Sequence, residues 1–221
     1  PSEALLDAFL PNDVANLLVG VPMLLVSMRL ARRGSLAGLL LWMGAIFFAL
    51  YGYLIYVLAM PLGVPIAVHL ALVLASAYAL VGLVAGVDGQ AVRRRLHGAV
   101  PERLAGGVLI GLGGLFFVQA SMAILGALVG EAPVVRTDMA LHIADAAISP
   151  VWVAGGVLLW RRAWLGYVAG LGLLFQASML FVGLVVVLVL QPFLTATPFS
   201  LVDVVVVLAM GSVCFVPLAL F

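Results

Sequence analysis

Four ionisable side chains fall inside long apolar stretches of this 221-residue chain: His69, His142, Asp145 and Asp203. An ionisable group in hydrocarbon is costly, so such groups are the first place to look for chemistry. His142, Asp145 and Ser149 follow an i, i+3, i+7 spacing, which is one face of a helix. Pro150 follows directly and permits a kink that frees a backbone carbonyl. The rest of that stretch is apolar, so the polar stripe must face a cavity or another helix. The chain contains no Lys, and every Arg falls at or beyond the end of an apolar stretch. Asp145 and Asp203 therefore have no permanent cation to pair with inside the stretches. Their options are a proton, a hydrogen bond, a His partner or a bound ion. His142 with Asp145 is the nearest pair in sequence.

The same two His and two Asp are also a ligand set for a divalent metal such as Zn²⁺ or Fe²⁺, which would activate water. A haem held by His69 and His142 is a variant of that idea. Neutral polar groups accompany them: Gln119, Gln176, Ser149, Tyr53 and Tyr56, with Tyr51 close by. Each has a plain structural explanation as well. Asp203 sits near a helix start, where the dipole tolerates an acid. Gln119 and Gln176 suit hydrogen bonds between helices. The tyrosines suit an interfacial belt and packing.

The elements that position these groups follow from composition. Hydrophobic residues make up 66% of the chain and charged residues 9%, and the mean hydropathy is +1.33. Soluble domains are far more charged. A soluble domain, a disordered tail and a nucleic-acid binder are excluded, and an all-α integral membrane protein remains. Residues 34–87 carry no formal charge. As one helix they would run about 80 Å, too long for a single crossing. The Pro61-Leu62-Gly63-Val64-Pro65 segment divides them, and Gln191-Pro192 with Thr195-Ala196-Thr197-Pro198 divides the later charge-free stretch. The expectation is a single transmembrane domain over 1–221, a bundle of seven spans at 13–30, 35–60, 64–87, 104–130, 138–160, 164–190 and 198–221. A β-barrel would need short alternating segments, and these runs are apolar on both faces. Asn12-Asp13, Thr137-Asp138 and Thr197-Pro198 are expected at helix starts and Asp88-Gly89 at a stop. Residues 2–10 are expected to form a short interfacial helix. The chain opens at Pro1 without Met and closes inside an apolar run at Phe221, so it reads as trimmed.

Charge sets the expected orientation. Nine Arg fall in three alternate connections: Arg29, Arg32 and Arg33; Arg93, Arg94, Arg95 and Arg103; Arg161 and Arg162. Alternate connections share one side, which the positive-inside rule makes cytoplasmic. The N-terminus is then outside and the C-terminus inside, and Trp42, Trp160 and Trp164 fall at the inner interface. The outer side carries Glu3, Asp7, Asp13, Glu131 and Asp138 against Arg136 alone, a field that attracts cations. With this topology His69, His142, Asp145 and Asp203 lie about 5–10 Å from their outer helix ends, and Gln119 and Gln176 lie nearer the middle.

Small-xxx-small spacings (Gly82/Gly86, Gly107/Gly111, Gly126/Gly130, Gly166/Gly170) are expected at close helix crossings. Two segments match each other: Gly113-Gly-Leu-Phe-Phe-Val-Gln119-Ala-Ser121-Met122 and Gly170-Leu-Gly-Leu-Leu-Phe-Gln176-Ala-Ser178-Met179. Each is followed by a span with an acid near its outer start, which suggests a parallel hairpin repeat of spans 4–5 and 6–7.

Three functions fit. One is a transporter or channel in which Asp145, His142, His69 and Asp203, with Gln119, Gln176, Ser149, Tyr53 and Tyr56, bind or move a proton, cation or small ligand. Another is a membrane-embedded metal-dependent enzyme built on His69, His142, Asp145 and Asp203, although no HExxH or HxxxH motif supplies a paired site. The third is a non-catalytic subunit of a larger complex. A microbial-rhodopsin chemistry is excluded, because no Lys can carry a Schiff base. The single Cys, Cys214, excludes an internal disulfide and a CxxC redox pair.

Leu41-Trp42-Met43-Gly44 with Tyr51-Gly-Tyr53-Leu-Ile-Tyr56, and Asp145, Pro150 and Leu159-Trp160-Arg161-Arg162-Ala-Trp164-Leu-Gly166-Tyr167, resemble segments of a family of uncharacterised prokaryotic multi-pass membrane proteins. The resemblance covers spans two to six, and His142 departs from the pattern. It implies a multi-pass inner-membrane topology, points to Asp145, and implies no activity. The expected partners are the lipid bilayer and either a second copy or a larger membrane complex, with no nucleic acid.

Overall fold

The computed structural model describes residues 3–130 and 135–221. Glu131 lies outside them, and so do the side chains of Glu3 and Asp7. The elements are α1 (Glu3–Ala15), a π-turn (Asn16–Gly20), α2 (Val21–Arg32), α3 (Leu36–Ala59), α4 (Val64–Gly86), α5 (Gly89–Leu96), α6 (Glu102–Val129), α7 (Arg136–Trp160), α8 (Trp164–Leu194) and α9 (Leu201–Leu220). No strand occurs among the described residues. Seven helices are long and apolar enough to cross a membrane: Phe9–Arg32, Leu36–Ala59, Val64–Gly86, Glu102–Val129, Arg136–Trp160, Trp164–Leu194 and Leu201–Leu220. That is the make-up of a multi-pass membrane protein.

Several local expectations are corrected. Of the 2–10 segment, the described residues 3–10 do not form a separate interfacial helix, because α1 runs through Pro11 and continues through the π-turn into α2. Pro22 cannot donate to the carbonyl four residues back, and the wider π-turn takes up that change of register just before it. Asn12 and Asp13 are therefore inside α1 and cap nothing. Helix α8 passes Gln191-Pro192 and ends at Leu194, since a proline in the last turn removes only one bond. Asp88 starts a helix rather than stopping one: its Oδ1 accepts from the backbone N–H groups of Gln90 and Ala91, both at 3.0 Å, and caps the short α5. Thr137 and Asp138 already lie in α7. Ser200, not Thr197, caps α9 and accepts from the Asp203 N–H at 3.3 Å.

Helix α8 is the axis of the bundle. It packs against α1, α3, α5, α7 and α9. Every residue from Gly170 to Met179 is buried, as expected for a helix enclosed on all sides. Glycines set its closest approach: a Cβ on Gly172 would meet the Leu40 carbonyl oxygen of α3 at 2.9 Å, and one on Gly44 would run into the Gly172 backbone. A second tight crossing joins α6 and α7, where a Cβ on Gly106 or Gly156 would meet the other's carbonyl oxygen at 2.7 Å. The spacings Gly82/Gly86 and Gly107/Gly111 are not crossing points. Gly82, Gly86 and Gly111 face open space, and Gly107 faces the Trp160 ring. Helix α4 is peripheral; it packs on α3 and contributes no buried residue.

The Arg-bearing connections form one end of the bundle, here the arginine end. Glu102 is buried there at the first turn of α6. Its Oε1 accepts from the Tyr167 hydroxyl of α8 at 2.9 Å and from the Gly98 N–H at 3.0 Å. At the opposite end the Arg136 guanidinium donates to the Met60 carbonyl at 3.0 Å and ties the start of α7 to the end of α3.

Candidate functional site

The centre of interest is where α3, α7 and α8 meet. Tyr51 is buried on α3, eight residues from its far end, or about 12 Å in. Asp145 is nine residues into α7, or about 13 Å from the same end. The two meet: the Tyr51 hydroxyl donates to Asp145 Oδ1 at 2.7 Å. Among the described residues, no Arg pairs with Asp145 and no second side chain hydrogen-bonds it, while His142 lies nearby on the same face of α7. Ser149, one turn deeper and buried, donates to the Asp145 backbone carbonyl at 2.5 Å. Ser149 Oγ thereby satisfies itself on its own helix.

Another turn deeper on the same face of α7, Trp152 Nε1 donates to Gln176 Oε1 of α8 at 2.6 Å. Gln176 is fully enclosed, and its Nε2 has no partner; Ser178 Oγ, two residues on, is likewise unsatisfied. Phe116 of α6 packs edge-on against Trp152, with ring centroids 5.7 Å apart. Tyr51, Asp145, Ser149 and Trp152, with Phe116, Ile148 and Leu180, line a void of about 10 Å³. That holds one water at most. The arrangement is a line of polar groups descending from the half-buried Asp145 to the fully buried Gln176.

A second polar cluster lies at the far end, around Tyr56. Its hydroxyl donates to Asp13 Oδ1 and accepts from Asn12 Nδ2 at 3.0 Å. The His69 ring stacks on Tyr56 at 4.9 Å and lies 5.8 Å from the Tyr53 ring. His69 Nδ1 is 2.7 Å from the Pro65 carbonyl, so that nitrogen carries the proton and donates. This cluster joins α1 and α4 to α3.

The sequence-predicted residues thus divide. Asp145, Ser149 and Gln176 belong to the central line, and His69, Tyr53 and Tyr56 belong to the far-end cluster. His142 is half-buried on α7 and makes no hydrogen bond among the described residues. Asp203 is exposed in the first turn of α9. Gln119 is exposed on α6 and does not face the core. The proposed metal set is not assembled: no group of three or more His, Cys, Asp or Glu suited to a metal occurs among the described residues. His69 and Asp203 are the reason, since one is committed to the Tyr56 stack and the other faces outward.

Sequence reasoning did not single out Tyr51 and Trp152 as site residues. The signals were there. Tyr51 lies at the same depth as Asp145, and Trp152 extends the Asp145–Ser149 stripe at i+7. No family model matches the chain, and neither a curated protein nor a solved structure does.

Proposed function

We propose that this chain is a prokaryotic inner-membrane protein, N-terminus outside, that takes up and passes a proton at Asp145. The observation that carries this reading is the Tyr51–Asp145 hydrogen bond, set inside a membrane-type bundle with no arginine paired to the carboxyl among the described residues. A carboxylate so placed is neutralised by a proton or a small cation. The void beside it, about 10 Å³, suits a proton or a single water better than an organic solute. Tyr51 holds the carboxyl in place and can exchange a hydrogen bond with it as it changes state. Trp152 and Gln176 continue the polar line toward the arginine end. The acidic residues expected on the outer side would concentrate cations at the entrance.

The test is proton flux in proteoliposomes under an imposed potential, followed with an enclosed pH dye. Wild-type protein should acidify the lumen faster than empty liposomes. Asp145→Asn should abolish the increment, and Tyr51→Phe should reduce it about tenfold, the scale of one hydrogen bond to a charged group. Undiminished flux in Asp145→Asn would refute the reading.

A further inference from the structure

Gln119 poses a separate problem. It lies 10 residues from the far end of the 28-residue α6, about 15 Å in, near the middle of a bilayer. Its side chain is exposed, and no protein group bonds it among the described residues. A carboxamide brings two donors and an acceptor. Hydrocarbon satisfies none of them, and at this depth the short side chain cannot reach the interface.

The face around it is shaped for a neighbour. Leu115, Val118 and Met122 are each more than half exposed, at 53%, 59% and 66%. Below them an open groove of about 400 Å³ runs between α6 and α9, with Gly107 and Gly111 in its floor. We propose that this face of α6, centred on Gln119, is where a second copy of the chain docks. The carboxamide itself argues for that occupant. It is donor and acceptor in one group, so two copies related by a twofold axis pair their Gln119 side chains reciprocally, each amide nitrogen to the other's oxygen. A lipid acyl chain offers the amide nothing. An unlike partner would need a matching polar group of its own. Amide pairs of this kind hold transmembrane helices together, and Gly111 below, which faces open space, lets a second backbone approach. The inference is independent of Asp145, which lies on a different helix and faces the core.

The test uses the full chain, purified and reconstituted alone at high lipid-to-protein ratio. Leu115→Cys and Met122→Cys are compared with Tyr78→Cys on α4, whose side chain is 83% exposed; the native Cys214 is buried and serves as the background. Both α6 variants should form disulfide-linked dimers on mild oxidation, and Tyr78→Cys should not. Adding Gln119→Leu should lower the dimer fraction by about tenfold in association constant, and Gln119→Asn should restore part of it. Cross-linking no greater at α6 than at Tyr78 would overturn the proposal and leave lipid as the occupant. Dimers unaffected by Gln119→Leu would overturn the role of the amide.

Discussion

Two stretches of this chain end in the same four residues, Gln-Ala-Ser-Met, preceded by glycines and aromatic residues, and the fold treats them in opposite ways. In α8 the Gln176 side chain is sealed in the core and hydrogen-bonded to Trp152. In α6 the Gln119 side chain is exposed on the outside of the bundle. The cause is position, not composition. Helix α8 is surrounded, so every residue around its middle is buried whatever its direction. Helix α6 packs mainly by the glycine face that meets α7, with lighter contact to α8 and α9. Ala120 lies on that face and is 1% exposed. Gln119 precedes it by one residue, a turn of about 100°, which is enough to leave the core. The lesson is that a mid-membrane glutamine has no meaning until the packed side of its helix is known.

The contrast can be broken most forcefully at the glycines. Gly44→Ala would drive a methyl group into the Gly172 backbone, with no flexible side chain to give way. It should destabilise the bundle by roughly 1–3 kcal/mol, read from thermal unfolding in detergent. The same change at Gly114 of α6, where nothing lies within 4 Å, should be neutral or slightly stabilising. Equal losses at the two sites would contradict the central place given to α8.

The next effect is at Trp152. Trp152→Phe removes the donor to Gln176 and leaves the whole carboxamide without a partner, for a loss of about 1–3 kcal/mol. The double variant Trp152→Phe with Gln176→Leu removes both groups and should recover much of that loss, because a buried pair replaced by apolar groups is nearly neutral. A double-mutant cycle in the same unfolding assay checks it. Additive losses would mean that the 2.6 Å contact contributes nothing. The smallest effect is expected at Gln119→Leu, within about 0.5 kcal/mol for the single chain in detergent, as for an outward residue that no internal contact uses. A large loss there would place Gln119 inside the bundle.

The seven spans were legible because hydropathy and length are properties of a single helix. All seven were located within a few residues, and the main errors have a common origin. Asn12-Asp13 carried the signature of a helix start, yet a helix already under way runs through them, and their side chains are used on Tyr56 of another helix. Gln191-Pro192 carried the signature of a stop, yet near a helix end the missing bond is cheap. The candidate site was legible in part. Asp145 and Ser149 stood out by rarity and spacing. Their partners did not, because Tyr51 comes from a helix 94 residues away in sequence and the contact depends on how α3 and α7 are turned toward each other. The four-residue metal set failed for the same reason: shared depth placed His69, His142, Asp145 and Asp203 at one level, and His142 and Asp145 share a face of α7, but His69 and Asp203 lie on helices turned elsewhere.

In the proposed proton pathway, Asp145 is the group that gains and loses the proton. Infrared difference spectroscopy of the protein in membranes, as pH is stepped, observes that event directly. A carboxyl C=O band should come and go with pH, be absent in Asp145→Asn, and shift in Tyr51→Phe as its hydrogen bond is lost. A titrating carboxyl band that persists unchanged in Asp145→Asn would contradict that role.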